Sequence, residues 1–224
     1  MLTLLVSATE FEINETAIWL KNSHKLHNTR ESELLISGIG QLQTAYALQK
    51  RIQSRRPDLV IQAGIGGSVS NEDLGKSFAV VSDQIADLGV LEKDGFRNVF
   101  EMGLAAPDRH PFNQGKLINP YRALLDWTDL PQSAGITVNE IKSDNFTGYQ
   151  RNPGPVVESM EGAALHYVCL MENIPFLQIR TISNLIGERD KKRWKIKEAI
   201  KSLNESLVSL IQKLEQADET LFRI

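Results

Sequence analysis

Cysteine is almost missing from this chain. Cys169 is the only one in 224 residues, so no disulfide can form within the chain, and its place in an apolar helical pattern assigns it to the core. A charge excess of one sign is also lacking. Lys and Arg number 25 against 28 Asp and Glu, a net charge of −3, so no basic field points to nucleic acid. No apolar run approaches the roughly 20 residues that a membrane-spanning helix needs. The first residues, Met1 to Ser7, lack the basic flank and long apolar stretch of a signal peptide and read as a strand. The four histidines, His24, His27, His110 and His166, stand at no metal-ligand spacing, so no metal is expected. Repeats, linkers and low-complexity segments are absent. What remains is a cytoplasmic enzyme or binding protein for a small molecule, built as one domain over residues 1–224.

What is present is an alternation of strands and helices. Leu2 to Ser7 predicts a strand, Glu10 to Leu20 a helix, and Leu34 to Gly38 a second strand. Gln41 to Arg55 predicts a helix with Ala45, Leu48 and Ile52 on one face, stopped by Pro57. Leu59 to Ala63 and Phe78 to Ser82 read as buried strands. The stretch from Ala86 to Pro131 is rich in turns, with a helix expected over Leu117 to Trp127. A helix opening at Glu161 follows the turn-forming run Asn152 to Pro155. Phe176 to Asn184 reads as a buried strand, and Lys197 to Leu214 as an amphipathic helix. The pattern predicts a single three-layer α/β/α domain with a central mixed sheet. It does not give the strand order.

Several polar residues sit where such a sheet places ligands, at strand ends and helix starts. Glu10 and Glu12 follow the first strand. Both fit the acids that favour a helix N-terminus, and one of them also fits a general base pointing into a pocket near Glu161. Glu161 opens its helix within Ser159-Met160-Glu161-Gly162, and a carboxylate there can accept hydrogen bonds from two neighbouring hydroxyls at once. Arg180, inside a buried strand, needs a counter-ion, either Glu12 or Glu161. The glycine-rich run Gly64-Ile65-Gly66-Gly67 lacks the Gly-Lys-Ser/Thr of a phosphate loop. It reads as a turn after the third strand, either purely structural or lining a pocket. Phe146 fits the core as well as it fits an aromatic platform for a base.

Together these segments resemble the nucleoside phosphorylase and nucleosidase superfamily, and within it the futalosine hydrolases. The resemblance covers nearly the whole chain. It rests on Ala8-Thr9-x-x-Glu12, Ser37-Gly38-Ile39-Gly40, Ile85 to Gly89, Glu158 to Gly162, Ile182-Ser183-Asn184 and Arg189 to Ile196. It implies a nucleoside phosphorylase-like fold and hydrolysis of the N-glycosidic bond of a nucleoside, with no cofactor. In that reading Glu12 activates water, and Met160 and Glu161 grip the ribose diol. Gly64, Ile65 and Gly66 line the nucleoside pocket, and Arg180 helps hold the water. Phe146 stacks on the purine while Thr147 bonds its edge. Ser183 and Asn184 handle the base. Adenosine-directed members carry Asp at the position of Asn184. An amide, with one donor and one acceptor side, suits a 6-oxopurine such as hypoxanthine. Arg189, Arg193 and Trp194 are expected to meet the benzoate end of futalosine, although a basic run is also a common solvated surface. The resemblance further implies a homodimer or larger homo-oligomer that completes the site, with Ala105 to Phe112 as the segment offered to a neighbour.

Overall fold

The first strand, β1 (Leu2–Ser7), is buried along its entire length. A parallel strand paired on both edges and covered on its faces has no solvent side, so it reads as a continuous apolar run rather than an alternation. The structure, a computed structural model, describes residues 1–23, 31–93, 95–141 and 156–222. After β1 come α1 (Glu10–Ser23), β2 (Glu31–Ile36), α2 (Gln41–Ser54), β3 (Leu59–Ser68) and β4 (Ser77–Asp83). A hairpin of β5 (Gly89–Glu92) and β6 (Gly95–Asn98) stands apart from the main sheet. The chain continues through β7 (Leu117–Ile118), α3 (Arg122–Trp127), β8 (Gln132–Thr137), β9 (Val156–Ser159), α4 (Gly162–Glu172), β10 (Phe176–Leu185) and α5 (Ile196–Leu214).

The eight-stranded sheet is mixed, as its sequence pattern predicts. Its order is β10-β4-β8-β9-β3-β1-β2, with β7 attached to β4 and a further pairing of β10 on β3. Strand β3 is the pivot. One edge pairs with β10 from Val60 to Ser68. The other pairs with β1 at Leu59–Gln62 and with β9 at Gly67–Ser68. Five strands therefore close on themselves, and β1 and β9 part company along the middle of β3. That divergence opens a crevice, the kind of place where α/β sheets bind ligands. Strand β2 ends the order and pairs only with β1. An edge strand tolerates polar residues, which is why it begins at Glu31 rather than at the apolar Leu34.

The helices pack in two groups, α1 with α5 and α2 with α4. Helix α5 buries Ala199, Ile200, Leu203, Leu207, Leu210, Ile211 and Leu214. Those positions recur every three or four residues, and each buried Leu or Ile contributes roughly 1.5–3 kcal/mol. Helix α4 ends at Asn173, in the left-handed region at φ 51°, a normal helix stop ahead of Pro175.

Two expectations need correction. Leu117 to Trp127 is not one helix: Leu117 and Ile118 pair with Asp83 and Ser82 as β7. Pro120 disfavours helical backbone at Asn119, and the Asn119 side chain accepts from the Tyr121 N–H at 3.0 Å, so α3 starts only at Arg122. The run Gly64-Ile65-Gly66-Gly67 is also not a turn. It is the second half of β3. Its glycines answer to crowding: a Cβ at Gly64 would lie 2.3 Å from the Arg180 Nη1, and one at Gly66 would lie 2.7 Å from the Glu158 carbonyl.

Candidate active site

A cavity of about 340 Å³ fills the crevice between β1 and β9. Its wall includes Thr9, Phe11, Glu12, Ile39, Ile65, Gly66, Glu158, Ser159, Met160, Glu161, Ser183, Asn184 and Trp194. Apolar side chains share the wall with three carboxylates, one amide and the hydroxyls of Thr9, Ser159 and Ser183, the usual mix of a small-molecule site.

Glu12 lies in the first turn of α1 and is buried. Its Oε2 accepts from Thr9 Oγ1 at 2.9 Å, Thr9 N at 3.2 Å and Ser7 Oγ at 3.3 Å. Its Oε1 accepts from the Ile65 N–H at 3.1 Å. Donors from β1, the following turn and β3 thus aim one carboxylate at the cavity. Glu10, one helical step away, is exposed.

Glu161 is the residue that begins α4, yet its side chain does not cap that helix. Ser159 Oγ accepts from the Gly162 N–H at 3.2 Å, and Thr137 Oγ1 accepts from the Ala163 N–H at 2.7 Å. With the helix start satisfied by others, the Glu161 carboxylate turns elsewhere. Its Oε1 accepts from the Gly40 N–H at 3.0 Å, and its Oε2 lies 3.5 Å from Arg180 Nη1.

Arg180 is fully buried beneath the cavity wall rather than in it. Its partner is Glu161, and Nη2 also donates to Gln62 Oε1 at 2.8 Å. Gly64 lies underneath as well. The bare Cα there leaves room for the Arg180 guanidinium and the Glu12 carboxylate on the same face.

At the far side, Asn184 follows a bulge in β10. Its Oδ1 accepts from Ser183 Oγ at 2.8 Å, and its Nδ2 donates to the Leu185 carbonyl at 2.9 Å. Those two bonds set which way the amide points. Each amide atom has capacity for a second bond, so the group can offer one acceptor and one donor to a ligand.

Under α4 lies a second polar group. Asp83 Oδ1 accepts from Thr137 Oγ1 at 2.8 Å. His166 shares a 2.9 Å hydrogen bond between Nδ1 and the Leu117 carbonyl. Among the described residues, Asp83 Oδ2 and His166 Nε2 have no hydrogen-bond partner. Burial pushes the Asp83 carboxyl up to about 7, opposed by the Thr137 bond. Burial also pushes His166 down to about 4, opposed by the Leu117 carbonyl. Both groups are neutral in the interior near pH 6.

Of the residues singled out from sequence, Glu12, Ile65, Gly66, Met160, Glu161, Ser183, Asn184 and Trp194 share this cavity. Arg189 and Arg193 are exposed and do not line it. Arg193 instead pairs with Glu188 at 3.0 Å, while Trp194 Nε1 donates to the Glu188 carbonyl at 3.0 Å. Phe146 and Thr147 lie outside the described residues. The wall also contains Val138 and Ile141, for which the sequence carries no signal beyond apolarity, and Ile196, the end of the Arg189 to Ile196 run. Glu158 is a buried third acid in the wall; it begins the run Glu158 to Gly162 on which the resemblance rests, but the sequence singles it out for no role of its own. Among the described residues, no group of three or more His, Cys, Asp or Glu could hold a metal ion, and no helix is long and apolar enough to cross a membrane.

A family model described as the phosphorylase superfamily matches residues 27–217. A futalosine hydrolase of Streptomyces coelicolor is 33% identical over 193 residues, covering 82% of this chain and 80% of that protein. A futalosine hydrolase of Acidothermus cellulolyticus is 27% identical over 223 residues, covering 92% and 89%. Among solved structures, a 5′-methylthioadenosine/S-adenosylhomocysteine nucleosidase of Colwellia psychrerythraea in complex with adenine superposes with a TM-score of 0.77 at 17% identity. It covers 97% of each chain, and at that identity it speaks for the fold alone.

Proposed function

Because the chain belongs to the phosphorylase superfamily and to its N-glycosidic hydrolases, we propose that it cleaves futalosine with water, releasing hypoxanthine and dehypoxanthine futalosine on the futalosine route to menaquinone. The observation that carries this reading is the pairing, in one cavity, of two oriented carboxylates with an amide rather than an acid at Asn184.

Breaking the bond between C1′ and the purine nitrogen develops positive charge on the ribose and negative charge on the base. Glu12 takes a proton from water as the water oxygen bonds to C1′. The bonding electron pair leaves with the purine, which gains a proton from solvent. Glu161 accepts from the 2′- and 3′-hydroxyls and offsets the cationic sugar. Arg180, bonded to Glu161 and Gln62, fixes that carboxylate from below. The Asn184 N–H donates to O6 of hypoxanthine while its carbonyl accepts from a protonated N7. Phe146 and Thr147 are assigned to the same base by resemblance. Trp194 gives the distal part of the substrate an apolar wall, and Arg189 and Arg193 on the adjoining exposed turn are the cations for its benzoate. A phosphate nucleophile fits poorly, since Glu12 and Glu161 would repel it.

The enzyme is proposed to act in the cytoplasm as a homodimer or larger homo-oligomer. Exposed apolar residues are available for such an assembly: Leu42 and Tyr46, one turn apart on α2, are 85% and 68% exposed, and Leu104 is 71% exposed. The activity is tested by incubating the protein with futalosine, inosine and methylthioadenosine and identifying the free base. Hypoxanthine from futalosine is expected. Adenine from methylthioadenosine as the main product would overturn the assignment.

A further inference from the structure

Helix α5 carries one polar residue in the middle of its buried apolar seam, Asn204, which is 2% exposed. Burying an amide is costly unless every bond it can make is made. Here all are. Asn204 Oδ1 accepts from Thr16 N at 2.9 Å and from Thr16 Oγ1 at 2.6 Å. Its Nδ2 donates to the Glu12 carbonyl at 2.9 Å and to the Ile200 carbonyl, in its own helix, at 2.8 Å.

The two partners in α1 are not arbitrary. The Glu12 carbonyl and the Thr16 N–H are the two ends of a single rung of the α-helical ladder. The Asn204 amide spans that rung and ties it to α5. Packing alone does not require this. An apolar residue would fill the seam without burying an amide, and α1 can satisfy the same two groups by closing the rung itself. What the amide adds is a fixed position for the backbone of Glu12. The carboxylate end of the same residue is fixed by Thr9 and Ile65. Glu12 is thus held from both ends, by α5 through its main chain and by β3 through its side chain.

We propose that Asn204 is a positioning residue for Glu12, setting where the carboxylate meets the attacking water. This rests on the reading of Glu12 as the base. A shift of a reacting group by about 1 Å can cost on the order of 10²-fold in rate. Asn204→Ala should therefore lower kcat for futalosine cleavage by about 10- to 100-fold, with KM changed by no more than about twofold. Because α1 can close its own rung, the variant should stay folded by circular dichroism.

The decisive comparison is a double-mutant cycle with Glu12→Gln, followed by single-turnover release of the base. If Asn204 works through Glu12, adding Asn204→Ala to Glu12→Gln changes the residual rate no further. Native kcat in Asn204→Ala, a loss confined to KM, or the same full loss repeated in the Glu12→Gln background would each overturn the proposal. Near-native turnover in Glu12→Gln alone would instead remove Glu12 from the mechanism and the proposal with it, a result visible in that single variant. Should Asn204→Ala fail to fold, Thr16→Val removes one of the two bonds that hold Oδ1. It should give a smaller loss, roughly 3- to 10-fold on the same positional argument, again absent in the Glu12→Gln background. An unchanged kcat there would overturn the proposal equally.

Discussion

Exchanging Asp83 for Asn should tilt the pH dependence of stability, and exchanging His166 for an uncharged residue should tilt it the other way. The Asp83 carboxyl moves from an ordinary 3.8 to about 7 on folding. Between those values the unfolded chain has lost its proton and the folded chain keeps it, so Asp83 makes stability fall as pH rises. The slope is about 1.4 kcal/mol per pH unit, and the whole span amounts to roughly 4 kcal/mol. His166 moves from an ordinary 6.5 down to about 4. Over that interval the unfolded chain holds a proton that the folded chain lacks, so His166 makes stability rise with pH by roughly 3 kcal/mol in total. In the native protein the two slopes nearly cancel from about pH 4 to pH 6.5, because each state holds one proton between the pair. Asp83→Asn removes one side of the balance. Its stability minus that of the native protein should climb by about 4 kcal/mol from pH 4 to pH 7. The difference for His166→Gln should fall by about 3 kcal/mol from pH 4 to pH 6.5. Urea titrations at half-unit pH intervals read both. Variant curves that run parallel to the native one would refute the proton inventory, since neither group would then change its protonation on folding.

Other outcomes follow from the same geometry. Glu161→Gln should lower turnover by on the order of 10²-fold, and the native enzyme should cleave 2′-deoxy substrates poorly; equal rates for ribo and deoxy nucleosides would remove the diol grip. Gly64→Ala should destabilise by roughly 1–3 kcal/mol and abolish most activity, because its Cβ would displace the Arg180 guanidinium from a pair it cannot remake elsewhere. A thermal melt and a turnover assay check both halves. Arg193→Ala should raise KM for futalosine but not for inosine. Its pair with Glu188 is solvent-screened at the surface, so Tm should barely move, and equal kinetic effects on the two substrates would make the residue structural.

The elements that lie in the interior were legible because burial writes itself into sequence. The buried β1, the seam of α5 and the run from Phe176 through Asn184 each appear within a residue or two of their observed bounds. Glu12, Glu161 and Asn184 could be singled out because they stand next to strand ends and helix starts, where a polar residue is conspicuous. The glycines of β3 misled, since a glycine run after a strand usually marks a turn, and only the neighbouring strands show that Gly64 and Gly66 answer to Arg180 and Glu158. The choice of Glu161 over Glu12 as the partner of Arg180 is likewise not encoded locally, because it depends on how the β9–α4 junction packs over β10. Asn204 left no trace, because an Asn inside an amphipathic helix looks like a surface residue until α1 is packed against it. Strand order, and with it the crevice between β1 and β9, depends on pairings between segments far apart in the chain. Local pattern does not encode those.

We propose that the amide of Asn184 selects a 6-oxopurine leaving group. That selection is tested most directly by kcat/KM for futalosine and for methylthioadenosine, measured side by side in the native protein and in Asn184→Asp. The native enzyme should favour futalosine by a wide margin. The variant should lose much of that margin, because a carboxylate repels O6 of hypoxanthine but accepts from the adenine amino group. A native preference for methylthioadenosine, or a ratio that Asn184→Asp leaves unchanged, would contradict the account.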